Sequence, residues 1–336
     1  MKVMYMNSTD THHISTPQDK LLTLMASMSL PVVAAPMFLV SGPDLVLAAC
    51  RNGVMGSFPF PNARTLEELE AWLKTVTATL ALWKKEQPEA KIAPFAANMV
   101  AHSSYDRLAA ELELVAKYQP PIVITALGSP KPVVDVVHQY GGLVFADVNS
   151  VTYAEKALSA GADGLVLVTS GAGGHTGHMS PLAFVTAVRT FFDGPLIVGG
   201  SISTGAAVRA VEILGANLAY IGTSFIAANE SIASSDYKDM LLAAEYEDLI
   251  LTNALSGANA YYLKESLIRM GLDPNNPGSK DGPNFAGSQQ KINAWRDVWS
   301  AGHGVGTVKK IEPVANIVAR IEAEYKAAVA RPSFLK

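Results

Sequence analysis

The feature that most constrains this chain is an alternation. Between residue 30 and about residue 226, short β-branched and apolar runs recur with longer helical patterns between them. The runs are 32–35, 54–57, 92–97, 122–126, 143–148, 164–169, 196–199 and 218–222. Several are continuously apolar rather than alternating, as parallel strands covered on both faces must be. The helical patterns carry their own punctuation. Segment 65–85 opens with Thr65-Leu66-Glu67-Glu68, a capping-box pattern, and 104–118 opens on a serine. Segment 132–140 has proline in its first turn, and 151–160 and 204–214 stop at Gly161 and Gly215. With 181–192 these make a βα series. Eight such units predict an α/β fold closed into a (β/α)8 TIM barrel; an open doubly wound sheet is the competing arrangement.

The pattern changes after Phe225. Segments 235–245 and 259–270 read as helices, 273–288 as a Gly-, Pro- and Asn-rich loop, and 288–300 as an aromatic helix with Trp295 and Trp299. The reading is a barrel over 1–229 and a smaller helical subdomain over 230–310 that covers the barrel mouth and the substrate. A last helix at about 311–330 returns to the barrel.

Composition narrows the function classes. The chain has 336 residues, 49% of them hydrophobic and 17% charged, with a net charge of −4. That suits a compact enzyme and argues against disorder or nucleic-acid binding. One cysteine, Cys50, excludes an intrachain disulfide framework and Cys-rich metal sites, so no metal is expected. Residues 1–20 lack the apolar core of a signal peptide, and 21–36 is too short to span a bilayer and is broken by Pro31 and Pro36. The expectation is a cytoplasmic protein without membrane or nucleic-acid partners, a homo-oligomer being compatible with the sequence. His12-His13 reads as part of a polar leader rather than a metal site.

In a (β/α)8 barrel, chemistry sits on loops after the strands' C-terminal ends, and phosphates are often held after strands 7 and 8. After the seventh run comes Gly199-Gly200-Ser201, and after the eighth Tyr220-Ile221-Gly222-Thr223. Glycines let backbone N–H groups approach a phosphate, and the helix at 204–214 would aim its N-terminal dipole there. Each motif alone is equally a tight turn with a cap; both at these two positions favour the phosphate. After the sixth run lies Gly171-Ala172-Gly173-Gly174-His175-Thr176-Gly177-His178. Such a backbone accepts a flat ring or a phosphate, and its imidazoles suit proton transfer near neutrality. His175 is the candidate for chemistry, whereas His178, nearer the next helix, reads as supporting. Pro36 and Met37 follow the first run, Asn98 the third, and Asp147 lies at the end of the fifth. Taken alone, Met37 reads as core and Asn98 as a turn residue. Trp295, Trp299 and His303 either cap the pocket or pack.

Together these segments carry a resemblance. Ala34-Ala35-Pro36-Met37, Pro94-Phe95-Ala96-Ala97-Asn98, Gly171-Ala172-Gly173-Gly174-His175, Gly199-Gly200-Ser201, Tyr220-Ile221-Gly222-Thr223 and Trp299-Ser300-Ala301-Gly302 resemble the nitronate monooxygenases, over about residues 30–325. The resemblance implies non-covalent FMN, a small-molecule substrate and O2, with a barrel and a smaller helical domain over its mouth. It places Pro36, Met37, Asn98, Gly173, Gly174, Gly199, Gly200, Tyr220, Gly222 and Thr223 around the flavin, and Ser201, Ile221 and Asp147 join them by position. His175 would be the active-site histidine. Some relatives carry a lysine where this chain has Asp147. The implied reaction is oxidation of an alkyl nitronate to a carbonyl compound and nitrite. The alternative is an NAD(P)H-dependent flavin reductase of quinones or enoyl thioesters. A non-flavin phosphate-binding barrel comes third, since Cys50 sits in a helix where a nucleophile's role is unsuited.

Overall fold

A computed structural model describes residues 15–277 and 298–333 of the protein. The barrel strands are β1 (Val32–Ala34), β2 (Met55–Pro59), β3 (Phe95–Ala101), β4 (Ile122–Gly128), β5 (Leu143–Val148), β6 (Gly164–Val168), β8 (Leu196–Gly199) and β9 (Leu218–Ile221). All pair in parallel, and β9 closes on β1, so the sheet is a closed barrel. The open doubly wound alternative falls with that closure. β3 begins three residues later than the sequence suggests. Pro94 has no N–H to give the ladder, so pairing with β2 starts at Phe95 against Gly56.

Helices α2 (Pro43–Arg51), α3 (Leu66–Glu86), α4 (Leu108–Tyr118), α5 (Lys131–Val137), α6 (Val151–Ser159), α7 (Pro181–Arg189) and α8 (Gly205–Ile213) follow their strands. Thr65 caps α3 by accepting from Glu68 N at 3.1 Å, as its motif requires. An unforeseen helix, α1 (Pro17–Met25), precedes β1. Thr16 and Asp19 cap it reciprocally, and its Leu21 is fully buried with the barrel's lower interior. The cue, Thr16-Pro17-Gln18-Asp19, lies inside what reads by composition as a polar leader.

The strand registers arrange the interior in layers drawn from alternate strands, as barrels of this type do. One layer is Val33, Ala96, Phe145 and Ile197. Above it lie Ser57, Ile124, Val166 and Tyr220, and above these, at the C-terminal mouth, Ala35, Asn98, Asp147 and Gly199. The lower layers are apolar; polar groups enter only toward the mouth.

Beyond β9 come α9 (Thr223–Ile226), α10 (Ser235–Ala243), β10 (Leu249–Thr252), β11 (Ala260–Leu263), α11 (Lys264–Arg269) and, at the end, α12 (Val314–Val329). α12 does return to the barrel: it packs on α8 so closely that a side chain at Gly205 would strike the Ile321 carbonyl. The wholly helical reading of 230–310 needs correction. Residues 260–263 are a strand, pairing antiparallel with β10 on one side and with a two-residue strand, β7 (Gly174–His175), on the other. Ala260-Tyr261-Tyr262-Leu263 is rich in aromatic strand formers, and cross-strand pairing outweighs its weak helical period. Most of the helix expected at 288–300, with Trp295, falls outside the described residues.

Candidate active site

The mouth has a floor, a roof and a side wall. The floor is the top interior layer, with Asn98 buried and its Nδ2 donating to Ile124 O at 3.2 Å. Gly199 is bare for a reason: a Cβ there would come within 3.0 Å of Tyr220 Cδ1, whose ring fills the space. Asp147 Oδ1 and the Tyr220 hydroxyl are both covered and have no hydrogen-bond partner. Burial pushes the Asp147 carboxyl up to about 7. Burial first, and the Asp147 charge second, hold Tyr220 well above its usual range.

Pro36 and Met37 follow Ala35 into a loop at the lip. A Cβ on Gly222 would lie 3.3 Å from Met37 Sδ, so these two edges meet. The loop is held by a residue that sequence reasoning missed. Buried Asn62 accepts from Leu39 N at 2.8 Å and donates to Met37 O at 2.9 Å and Ser41 O at 2.7 Å. These bonds fix Leu39 at φ 56°, a conformation uncommon for a branched side chain. Nothing local announces Asn62 as anything but a turn residue.

The roof is the Gly/His loop. Its strand β7 places His175 opposite Ala260 and Gly174 opposite Tyr261. Burial lowers the His175 pKa, so the imidazole is predominantly neutral at pH 7. His178 is exposed before α7 and does not join the site. Ser170-Gly171-Ala172-Gly173 packs against Ala301-Gly302-His303, with His303 N donating to Gly171 O at 2.9 Å. Side chains are excluded from this contact: a Cβ on Gly302 would sit 2.5 Å from Gly171 O and 2.7 Å from Gly173 N. His303 stands between Tyr261, edge-on at 4.8 Å, and Ser201, whose Oγ is 3.3 Å from Nδ1. Trp299 answers the packing alternative: it is stacked on Tyr237 at 5.0 Å and covered by the Arg269 guanidinium at 3.6 Å.

The side wall is Gly200-Ser201 and Gly222-Thr223-Ser224. Gly200 at φ 119° and Ser201 at φ 58° turn the chain sharply after β8. Ser201 Oγ donates to Ser170 O at 3.0 Å, and Thr223 Oγ1 accepts from Gly302 N at 2.9 Å, so wall and roof are tied. Ser224 Oγ is buried without a partner. Two expectations shift. The side chain of Ile221 turns outward into the core between barrel and helices, leaving only its backbone at the lip. The N-terminus of α8 is already engaged, since Gly205 N donates to the Glu324 carboxylate at 2.8 Å. Any phosphate at this wall is therefore left to the turn glycines and hydroxyls rather than to that helix dipole.

Cys50 is fully buried, its Sγ donates to Pro94 O at 3.3 Å, and burial pushes its thiol up to about 12. It is inert, as expected. Among the described residues no cluster of His, Cys, Asp and Glu could hold a metal, and no helix is long and apolar enough to cross a membrane.

Comparison with known proteins places the chain. A nitronate monooxygenase family model matches residues 19–324, and the chain belongs to that family. The nitronate monooxygenase of Paraburkholderia phytofirmans is 26% identical, across 89% of this chain and 93% of its own length. A hydroxy-methyl-oxo-octahydroindene-carboxyl-CoA dehydrogenase of Rhodococcus jostii is 25% identical, across 74% of this chain and 66% of its own. In fold, the chain is similar to a nitroalkane oxidase from Streptomyces ansochromogenes (TM-score 0.76, 22% identity, 91% and 99% of the two chains). It is also similar to FabK from Thermotoga maritima (TM-score 0.72, 21% identity, 92% and 96%). Family membership makes the protein an oxidoreductase working with a flavin.

Proposed function

We propose that this member of the nitronate monooxygenase family binds FMN in the barrel mouth and oxidises an alkyl nitronate, or the nitroalkane from which it forms, with O2 to a carbonyl compound and nitrite. The observation that carries the reading is His175, on the loop after β6 and held by pairing with β11, at the mouth whose top interior layer is Ala35, Asn98, Asp147 and Gly199. The residues fit a flavin. Gly199 gives its side-chain space to the Tyr220 ring, and covered polar atoms on Asp147, Tyr220 and Ser224 await partners. Asn98 and Asp147 would meet the ring's polar edge, and Pro36, Met37 and Gly222 its side. Gly173 and Gly174 would lie over it. Gly200, Ser201, the Ile221 backbone and Thr223 would line the phosphate wall, with Tyr220 beneath. The described parts of the following segment, 230–277 and 298–310, would cover the substrate.

Bound FMN would supply electron transfer between substrate and O2. The protein supplies the rest. A neutral His175 can accept the α-proton of a nitroalkane at Nε2, making the anionic nitronate inside the pocket. The roof, closed by the Gly171–His303 contact, shields that proton from bulk water. Glycines at 173 and 302 allow the backbones to meet there.

A second reading, an NAD(P)H-dependent reductase of a quinone or enoyl thioester, is favoured by one feature. The floor places a carboxyl, not a cation, where an anionic substrate would approach. Anaerobic mixing of the flavin-loaded protein with nitronate, NADH and NADPH separates the two. Bleaching near ~450 nm by nitronate alone supports the first reading; rapid bleaching by a reduced nicotinamide overturns it.

A further inference from the structure

The floor holds a polar pair that the proposed chemistry at His175 does not use. Asp147 from β5 and Tyr220 from β9 occupy adjacent interior layers. Asp147 Oδ1 and the Tyr220 hydroxyl are covered and unpartnered, although the charge of one acts on the other. Bare polar atoms in a covered site are costly unless something hydrogen-bonds them. Asp147 belongs to the floor layer itself and Tyr220 to the layer beneath it, where the missing side chain of Gly199 leaves room for the Tyr220 ring.

Few groups face Asp147. The flanking strands β4 and β6 turn Ile124, Ala126, Val166 and Val168 inward, and β3 turns Asn98. β8 offers only Gly199 and β9 gives Tyr220, while the loop after β6 carries His175 at the same mouth. Only Tyr220 and His175 among these titrate, and burial disfavours the charged form of each. Burial is also what raises the Asp147 carboxyl to about 7.

Resting on the assignment of a flavin to this mouth, we propose that Asp147, backed by Tyr220, is a positioning residue for the ring: its carboxyl hydrogen-bonds the ring's polar edge and takes up a proton when the ring gains negative charge. The electrons come from the substrate and the proton from solvent: an O–H bond of a hydronium ion breaks, releasing water, as one O–H bond forms at the Asp147 carboxylate. The sign follows from linkage. Negative charge on the ring disfavours a neighbouring carboxylate, so Asp147 binds its proton more tightly beside the reduced ring. Below about pH 7 it is protonated in both states, and reduction takes no extra proton through it. Between that pH and the higher pKa that Asp147 has beside the reduced ring, reduction takes one extra proton per two electrons.

The test is the midpoint potential of the FMN-loaded protein from about pH 5.5 to about pH 9, for the natural chain and Asp147→Asn. The expected result is a steepening above about pH 7 in the natural chain, equal to that extra proton, and its loss in Asp147→Asn, with both proteins measured after loading to the same flavin content. Equal pH dependence in both proteins overturns the proposal. Should Asp147→Asn fail to hold flavin, the reduced-minus-oxidised infrared spectrum of the natural chain at about pH 8 decides. A new carboxylic-acid C=O band supports the proposal, and its absence overturns it. If the natural chain takes up no added FMN, the functional reading falls and the proposal with it.

Discussion

Along the floor of the mouth, each polar residue arrives by strand alternation. Leu143, Phe145 and Asp147 share one face of β5, and Ala96 and Asn98 share one face of β3. The roof arises otherwise. His175 sits on a two-residue strand that exists only because β11 pairs with it, and the Gly/His loop is closed by Gly302 and His303 from beyond residue 298. The difference teaches where stability and chemistry reside. The floor inherits the rigidity of a closed barrel, with ladder bonds on every side. The roof depends on a few glycine contacts and can be perturbed without unfolding the barrel.

The largest expected effect strikes the roof's chemistry. His175→Ala should lower turnover about 10²–10⁴-fold, with flavin content and melting temperature nearly unchanged. In the natural protein, turnover of a neutral nitroalkane needs neutral His175. Because burial depresses the folded pKa, this rate should be present above the usual histidine value and be lost as pH falls through a lower apparent pKa. Unchanged turnover in the variant would remove His175 from the mechanism.

Next is a blow beneath the floor's edge. Asn62→Ala leaves Leu39 N and two carbonyls without their partner and should cost about 3 kcal/mol, read as a lower denaturant midpoint. Flavin affinity should fall with it, since Met37 is no longer held. Gly302→Ala sharpens the contrast from the roof side. Its Cβ must displace the Gly171 carbonyl, yet the global cost should be only about 1–2 kcal/mol, while turnover falls by a larger factor than stability explains. A comparable loss of global stability in both variants would break the comparison, because it would make roof and barrel one cooperative unit. The smallest effect is Arg269→Ala, which removes the cation over Trp299 and should cost about 0.5–1 kcal/mol in the same measurement.

Much of the floor was legible because short apolar runs and glycine placement are local signals that mark where each strand ends. Asn98, Asp147 and Gly199 stand at strand ends in the sequence, Asn98 being tied to the flavin only by the resemblance, and the registers bring them into one layer with Ala35. β11 was misread as helix because an aromatic tetrapeptide beside a true helix carries little period of its own. Asn62 and Glu324 were not legible as support residues, and His303 was legible only as a residue that either caps the pocket or packs. Each acts on a partner far along the chain: Glu324 reaches Gly205 across 119 positions, and His303 reaches Ser201 across 102.

By itself, the sequence determined an eight-unit parallel barrel, its glycine-lined loops and the family to which they belong, because hydrophobic period and turn chemistry are written residue by residue. Only the tertiary structure decided which atoms are left wanting. It paired His175 with β11 and left His178 in solvent, spent the α8 N-terminus on Glu324, and covered Asp147 and Tyr220 without pairing them. Desolvation and non-local pairing set those outcomes, and both depend on what the rest of the chain places around a group rather than on its neighbours in sequence.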